Sequence, residues 1–144
     1  MKSNVKTQEE KQLLLVDLCA RLPHGVKVWY KYYPTNIIEK FATSIRLADE
    51  KIALSSKFEK EGDWFPIEEA GEILIKPYLR PMSSMTENEV LEYVSLKESI
   101  VASDGITYFF ETYKSIDWLN KKMFDYRGLI PNGLALTAPK GMYK

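Results

Sequence analysis

Apolar residues recur at helical spacing over residues 7–22, where Leu14, Leu15, Leu18, Cys19 and Leu22 form one stripe. Thr7 and Glu10 have the spacing of a capping box, and Pro23-His24-Gly25 closes the helix. The period then changes to two. Val26, Val28, Tyr30 and Tyr32 share one face of a strand over residues 26–33, and Lys27, Trp29, Lys31 and Tyr33 share the other. Alternating Phe41, Thr43, Ile45 and Leu47, then Ile52, Leu54, Ser56 and Phe58, predict two more strands over residues 38–48 and 51–58, joined at Asp49-Glu50. Trp64-Phe65-Pro66-Ile67 is expected to tuck a loop against the core, and residues 72–76 to form a short strand. Pro77 and Pro81 are expected to hold the following segment out of regular helix and central sheet.

The second half carries a second helix signal. Thr86 and Glu89 form a capping box, Met85 and Val90 a hydrophobic staple, and Val90, Leu91, Tyr93 and Val94 the expected buried face. Ser103-Asp104-Gly105 reads as a turn and residues 106–113 as a strand. Ser115 or Asp117 is expected to cap a short third helix with Ile116, Leu119 and Met123 on one face. Residues 128–144 contain three glycines and two prolines and read as extended. The order predicts a single α+β domain over residues 1–144: a mostly antiparallel sheet of about four to five strands with three helices packed on it. Residues 1–6 and about 137–144 are expected to be loosely ordered tails. A parallel βαβ arrangement is the alternative.

Composition bounds the function classes. In 144 residues, 45% are hydrophobic and 28% charged, a globular balance. Lys plus Arg equals Asp plus Glu at 20 each, so the chain lacks the basic excess of a typical nucleic-acid binder, and near-zero charge permits self-association. The single cysteine, Cys19, excludes an intrachain disulfide and is expected to be a small buried hydrophobe. One Cys and one His cannot supply the usual structural zinc set, and no cofactor or metal is expected. No stretch reaches the roughly 20 apolar residues of a membrane span, and the polar start lacks a signal-peptide core, so a cytoplasmic protein is expected.

No phosphate loop, dinucleotide fingerprint, nucleophile elbow or zinc-protease motif is present in the sequence. His24 lies in a turn and reads as solvated. Asp117, Asp125 and Arg127 are the best acid–base set; the plainer reading makes Asp117 a helix cap and pairs Asp125 with Arg127 or the next turn. Lys27, Trp29, Lys31 and Tyr33 alternate cation and aromatic along a strand. That pattern suits a solvated face, a protein interface or a stacking platform for single-stranded nucleic acid. Arg80 in a proline-bounded segment and the Tyr126-Arg127-Gly128 turn are further candidates for a partner or anionic ligand, or for ion pairs within the domain.

Three blocks carry a resemblance: residues 17–27 (DLCARLPHGVK), residues 76–87 (KPYLRPMSSMTE), and Asp117-Trp118 running on to residues 125–130 (DYRGLI) and Gly133-Leu134-Ala135. Together they cover roughly a third of the chain and resemble a family of small proteins without an assigned activity, abundant in gut Bacteroidales and their phages and mobile elements. The resemblance implies a bacterial or phage-infected cytoplasm and an accessory gene, and transfers no catalytic residue. It leaves three functions open: a non-enzymatic domain binding a host or phage protein, a nucleic-acid-binding accessory protein, and a small enzyme with an Asp/Arg site. Homo-oligomerisation fits all three.

Overall fold

The computed structural model describes residues 4–32, 36–57 and 62–143, with side chains for these except 4–7, 32 and 36–38. Tyr33 therefore lies outside what is described, and the expected helix start at Thr7 is corrected, because the helix already runs from Asn4 and Thr7 lies within it. Helix α1 (Asn4–Arg21) ends in a 3-10 turn at Leu22–His24, which Gly25 closes in the left-handed region at φ 80°. A six-stranded sheet follows, built from β1 (Lys27–Tyr32), β2 (Asn36–Arg46), β3 (Lys51–Ser55), β4 (Asp63–Pro66), β7 (Ile75–Leu79) and β10 (Leu136–Thr137). Its order is β10-β7-β1-β2-β3-β4, antiparallel except for the β10–β7 pair. Two small hairpins stand apart from it: β5 (Glu68–Glu69) with β6 (Glu72–Ile73), and β8 (Glu98–Val101) with β9 (Thr107–Phe110). Helices α2 (Glu87–Leu96) and α3 (Tyr113–Lys121) flank the second hairpin. This is the expected α+β fold.

The main core lies between α1 and one sheet face. Leu14, Leu15 and Leu18 meet Val28, Tyr30, Ala42, Ile52, Leu54, Ile75 and Leu79. A smaller second core joins Tyr93 of α2 to Trp118 and Leu119 of α3 and to Phe124. Cys19, expected inside, is exposed. The buried side of α1 is instead Lys11, Leu14, Leu15, Asp17, Leu18 and Arg21, which carries three charged residues. Lys11 is tolerated there because Glu50 and Glu68 accept from its Nζ at 2.9 and 3.1 Å. Those hydrogen bonds hold its pKa above the usual lysine value.

Pro77 corrects a second expectation, because it sits inside β7, between two neighbours. Register explains why. Lys31 N donates to Leu74 O, so ladder alternation makes Val28–Pro77 a pair that exchanges no hydrogen bond. The missing proline amide faces away from β1, on a side where β10 pairs only with Tyr78 and Leu79. The closing segment is tied to the same strands. Tyr143 Oη donates to Tyr78 O at 2.8 Å and accepts from Lys27 N at 2.9 Å. Burial raises its pKa.

Candidate functional site

The three sequence blocks meet at one place, the segment after α3. Arg80 N donates to Met123 O at 2.7 Å, and Asp125 N donates to Arg80 O at 2.8 Å, forming an isolated parallel bridge. Met123 takes a left-handed conformation at φ 64°, past the end of α3 rather than on its face. From the first block, Arg21 reaches the same segment. Its Nη2 donates to Phe124 O at 2.7 Å, and its Nε and Nη2 grip Asp17 at 2.9 and 3.0 Å. Asp17 and Arg21 have no exposed surface. Arg127 adds a second guanidinium to Asp17 at 2.8 Å and lies over the Tyr126 ring. Tyr126 Oη donates to Asn120 at 3.0 Å.

Arg80 is held as firmly. Its guanidinium forks onto Glu89 at 2.8 and 2.9 Å and lies 4.1 Å over the Phe124 ring. Glu89 also accepts from Thr86 N, completing the expected capping box. Arg80 holds the Glu89 carboxyl down at about 2, helped by the Thr86 amide, although burial opposes the shift. A depressed pKa makes this link stabilising above about pH 4.5 and lost as pH falls toward 2. We expect acid unfolding to show this loss, worth about 1–2 kcal/mol after solvent screening. Arg80→Met should flatten that limb of a stability–pH curve measured by urea melts. An unchanged acid limb would contradict the assignment.

Thus Arg80, Tyr126 and Arg127 converge, but each is already engaged by the protein's own groups. The acid–base set does not assemble. Asp125 accepts from Leu129 N and Ile130 N, Arg127 holds Asp17, and the exposed Asp117 lies 3.6 Å from His24 Nε2. Among the described residues no group of His, Cys, Asp or Glu is placed to hold a metal ion. No described helix is long and apolar enough to cross a membrane.

The strand face carrying Lys27, Trp29 and Lys31 lies opposite the main core. Lys27 Nζ sits 5.1 Å from the Phe41 ring centroid and Lys76 Nζ 6.0 Å from that of Trp29. Lys31 pairs with Glu72 at 2.9 Å. Glu39, opposite Trp29 on β2, accepts from Tyr78 Oη at 2.7 Å. Burial and that carboxylate push the Tyr78 hydroxyl up to about 12. The face is therefore a mixture of cations, anions and rings.

A third region was not legible as a site. The β8–β9 hairpin projects with all eight strand residues exposed. Cross-strand pairing puts Ile100, Tyr108 and Phe110 on one face with Glu98, and Val101 and Phe109 on the other with Ser99 and Thr107. Its tip is closed by Gly105 at φ 81° and by Asp104, which accepts from Ile106 N at 2.9 Å. Its base is clamped. Thr112 Oγ1 donates to Leu96 O at 2.6 Å and caps α3 with Ser115, correcting the expected Ser115 or Asp117 cap. Glu111 accepts from Tyr93 Oη, Lys97 Nζ and Ser115 Oγ. Trp118 Nε1 donates to Glu92, and its ring stacks between Tyr93 and Phe124 with 5.6 Å between centroids on each side.

Tyr93 is the buried residue of α2, with Leu96 partly buried against the same cluster; Val90, Leu91 and Val94, read as its buried face, are exposed. The sequence did hold a signal in the hairpin. Tyr108-Phe109-Phe110 is an unbroken aromatic run, which a strand with one wet face does not have.

No family model, curated protein or solved structure matches this chain. The geometry must speak for itself: a tightly paired junction at the ends of α1, β7 and α3, and a rigidly based apolar arm beside it.

Proposed function

We propose that this chain is a non-enzymatic protein-binding domain, an accessory protein of a phage or mobile element acting in the bacterial cytoplasm, with the β8–β9 arm as its contact surface. One observation carries the reading: a two-stranded hairpin exposing Ile100, Val101, Ile106, Tyr108, Phe109 and Phe110 on a base fixed by Thr112 and Glu111. An isolated hairpin is at best marginally stable in water, and contiguous apolar patches of this kind mark interaction sites. The mobile-element setting rests on the resemblance of the three blocks alone. An enzymatic role is less well supported, because Asp117, Asp125 and Arg127 engage separate partners. Nucleic-acid binding on the Lys27, Trp29 and Lys31 face is weakened by Glu39 and Glu72 within it.

A photo-reactive side chain placed at Phe109 or Ile100 in cells expressing the protein should yield crosslinks to a polypeptide. The same probe at Trp29 should yield far fewer. Absence of polypeptide adducts from both arm positions would overturn the reading.

A further inference from the structure

We infer that the occupant of the arm is a second copy of this chain, giving a closed two-fold dimer in which the β8–β9 hairpins pack on each other; this rests on the arm being a docking surface. The first argument is area. The hairpin's six large apolar side chains and Tyr113 of α3 are each 45–81% exposed. With ordinary residue areas, that leaves about 800 Å² open per chain over the two ribbon faces together. One face with Ile106 and Tyr113 holds roughly 500–600 Å² of it, so two copies would bury just over ~1,000 Å², enough for a specific interface.

The second argument is composition. Between Glu98 and Glu111 the one charged residue is Asp104, at the tip. Transient interfaces are about as polar as the rest of the surface, whereas homodimer interfaces resemble a core cut in half and are depleted of charge. An arm this apolar needs a constant partner, and its own second copy is always present at matching concentration.

The third argument is shape. Both hairpin faces are apolar and both strands are open edges, so an uncovered arm would pair edge to edge without limit. A two-fold contact uses the same patch on both copies and closes after two. With a formal net charge of zero there is no long-range repulsion between copies.

The test is light-scattering mass measurement of the full chain across a dilution series. It is paired with amide exchange of residues 98–110 at the two ends of that series. We expect dimer mass with a Kd of order 1 μM or tighter, and hairpin amides protected when concentrated but fast when dilute. Of Ile100→Glu and Phe109→Glu, one on each face, the one on the packed face should weaken the dimer at least ~100-fold by burying an unpaired charge and the other far less; no weakening by either would overturn the contact. Val16→Glu, on the exposed side of α1, should leave the mass unchanged. The amide-exchange arm needs no variant, so a substitution that fails to fold does not blunt the test.

Monomer mass throughout, with concentration-independent exchange, would overturn the second copy, as would an open-ended series of larger masses. The arm reading survives that result if the Phe109 and Ile100 crosslinkers then capture a different polypeptide. It falls too if they capture none.

Discussion

Asp17→Ala is expected to destabilise the fold by about 3–5 kcal/mol, a large share of the total stability of a domain this size. The carboxylate has no exposed surface and receives Arg21 Nε, Arg21 Nη2 and Arg127 Nη1 at 2.8–3.0 Å. Removing it strands the Arg21 guanidinium, equally buried, with only the carbonyls of Phe124 and Leu119 as acceptors. Those carbonyls cannot neutralise its charge, so desolvation goes uncompensated. Arg127→Ala should cost much less, about 1 kcal/mol, because Arg127 is partly solvated and Arg21 still satisfies Asp17. A paired change, Asp17→Leu with Arg21→Met, should recover much of the loss, since a packed apolar pair avoids the desolvation cost altogether. Urea unfolding of the three variants checks the ordering. An Asp17→Ala loss within ~1 kcal/mol of zero would mean that the buried ion pair is not the latch between α1 and the segment after α3.

That latch shows where the sequence was readable and where it was not. Local signals were legible. The Thr86–Glu89 capping box, the alternation along β1 and the antiparallel β2–β3 pairing each depend on residues a few positions apart. The buried side of α1 was not, because Lys11, Asp17 and Arg21 look solvent-facing until their partners arrive. Those partners are Glu50, Glu68, Phe124 and Arg127, 39 to 110 residues away. The apparent stripe therefore took in Cys19, which is exposed. Pro77 misled for a related reason, since only the pairing register decides whether a proline amide is missed.

The candidate site divides the same way. Lys27, Trp29, Lys31, Arg80, Tyr126 and Arg127 were singled out for residue type, and each of the four cations has a neighbour within the domain. Of the arm, the turn at residues 103–105 and a strand over residues 106–113 were read, but as part of the body, because apolarity announces burial without saying against what. Val90, Leu91 and Val94 do form a stripe on α2, but the face that packs inside this chain is the one bearing Tyr93. Thr112 escaped notice because its capping box uses serine at the third position, where Glu or Gln is the usual signature.

Phe124→Ala is expected to have an effect of similar size, about 3–5 kcal/mol, but distributed differently. The ring has no exposed surface, stacks on Trp118 at 5.6 Å and carries the Arg80 guanidinium 4.1 Å above it. Truncation leaves a cavity in a cluster whose fully buried aromatic is Phe124 itself, with Tyr93 and Trp118 at its rim. Arg80 would keep Glu89, so the start of α2 stays capped. What loosens is the Tyr93–Trp118 stack that fixes the middle of α2 and the base of the arm. The loss should therefore appear first in α2 and β8–β9 amides, while the sheet packed on α1 keeps its protection, because Phe124 belongs to the smaller cluster and not to the one between α1 and the sheet. Phe124→Leu, which fills most of the space, should cost only about 1–1.5 kcal/mol. Native-state hydrogen exchange on both variants distinguishes the possibilities. Uniform loss of protection across α1, the sheet and α2 would mean one cooperative core, and the arm would then be no more independent of the body than any other part of the fold.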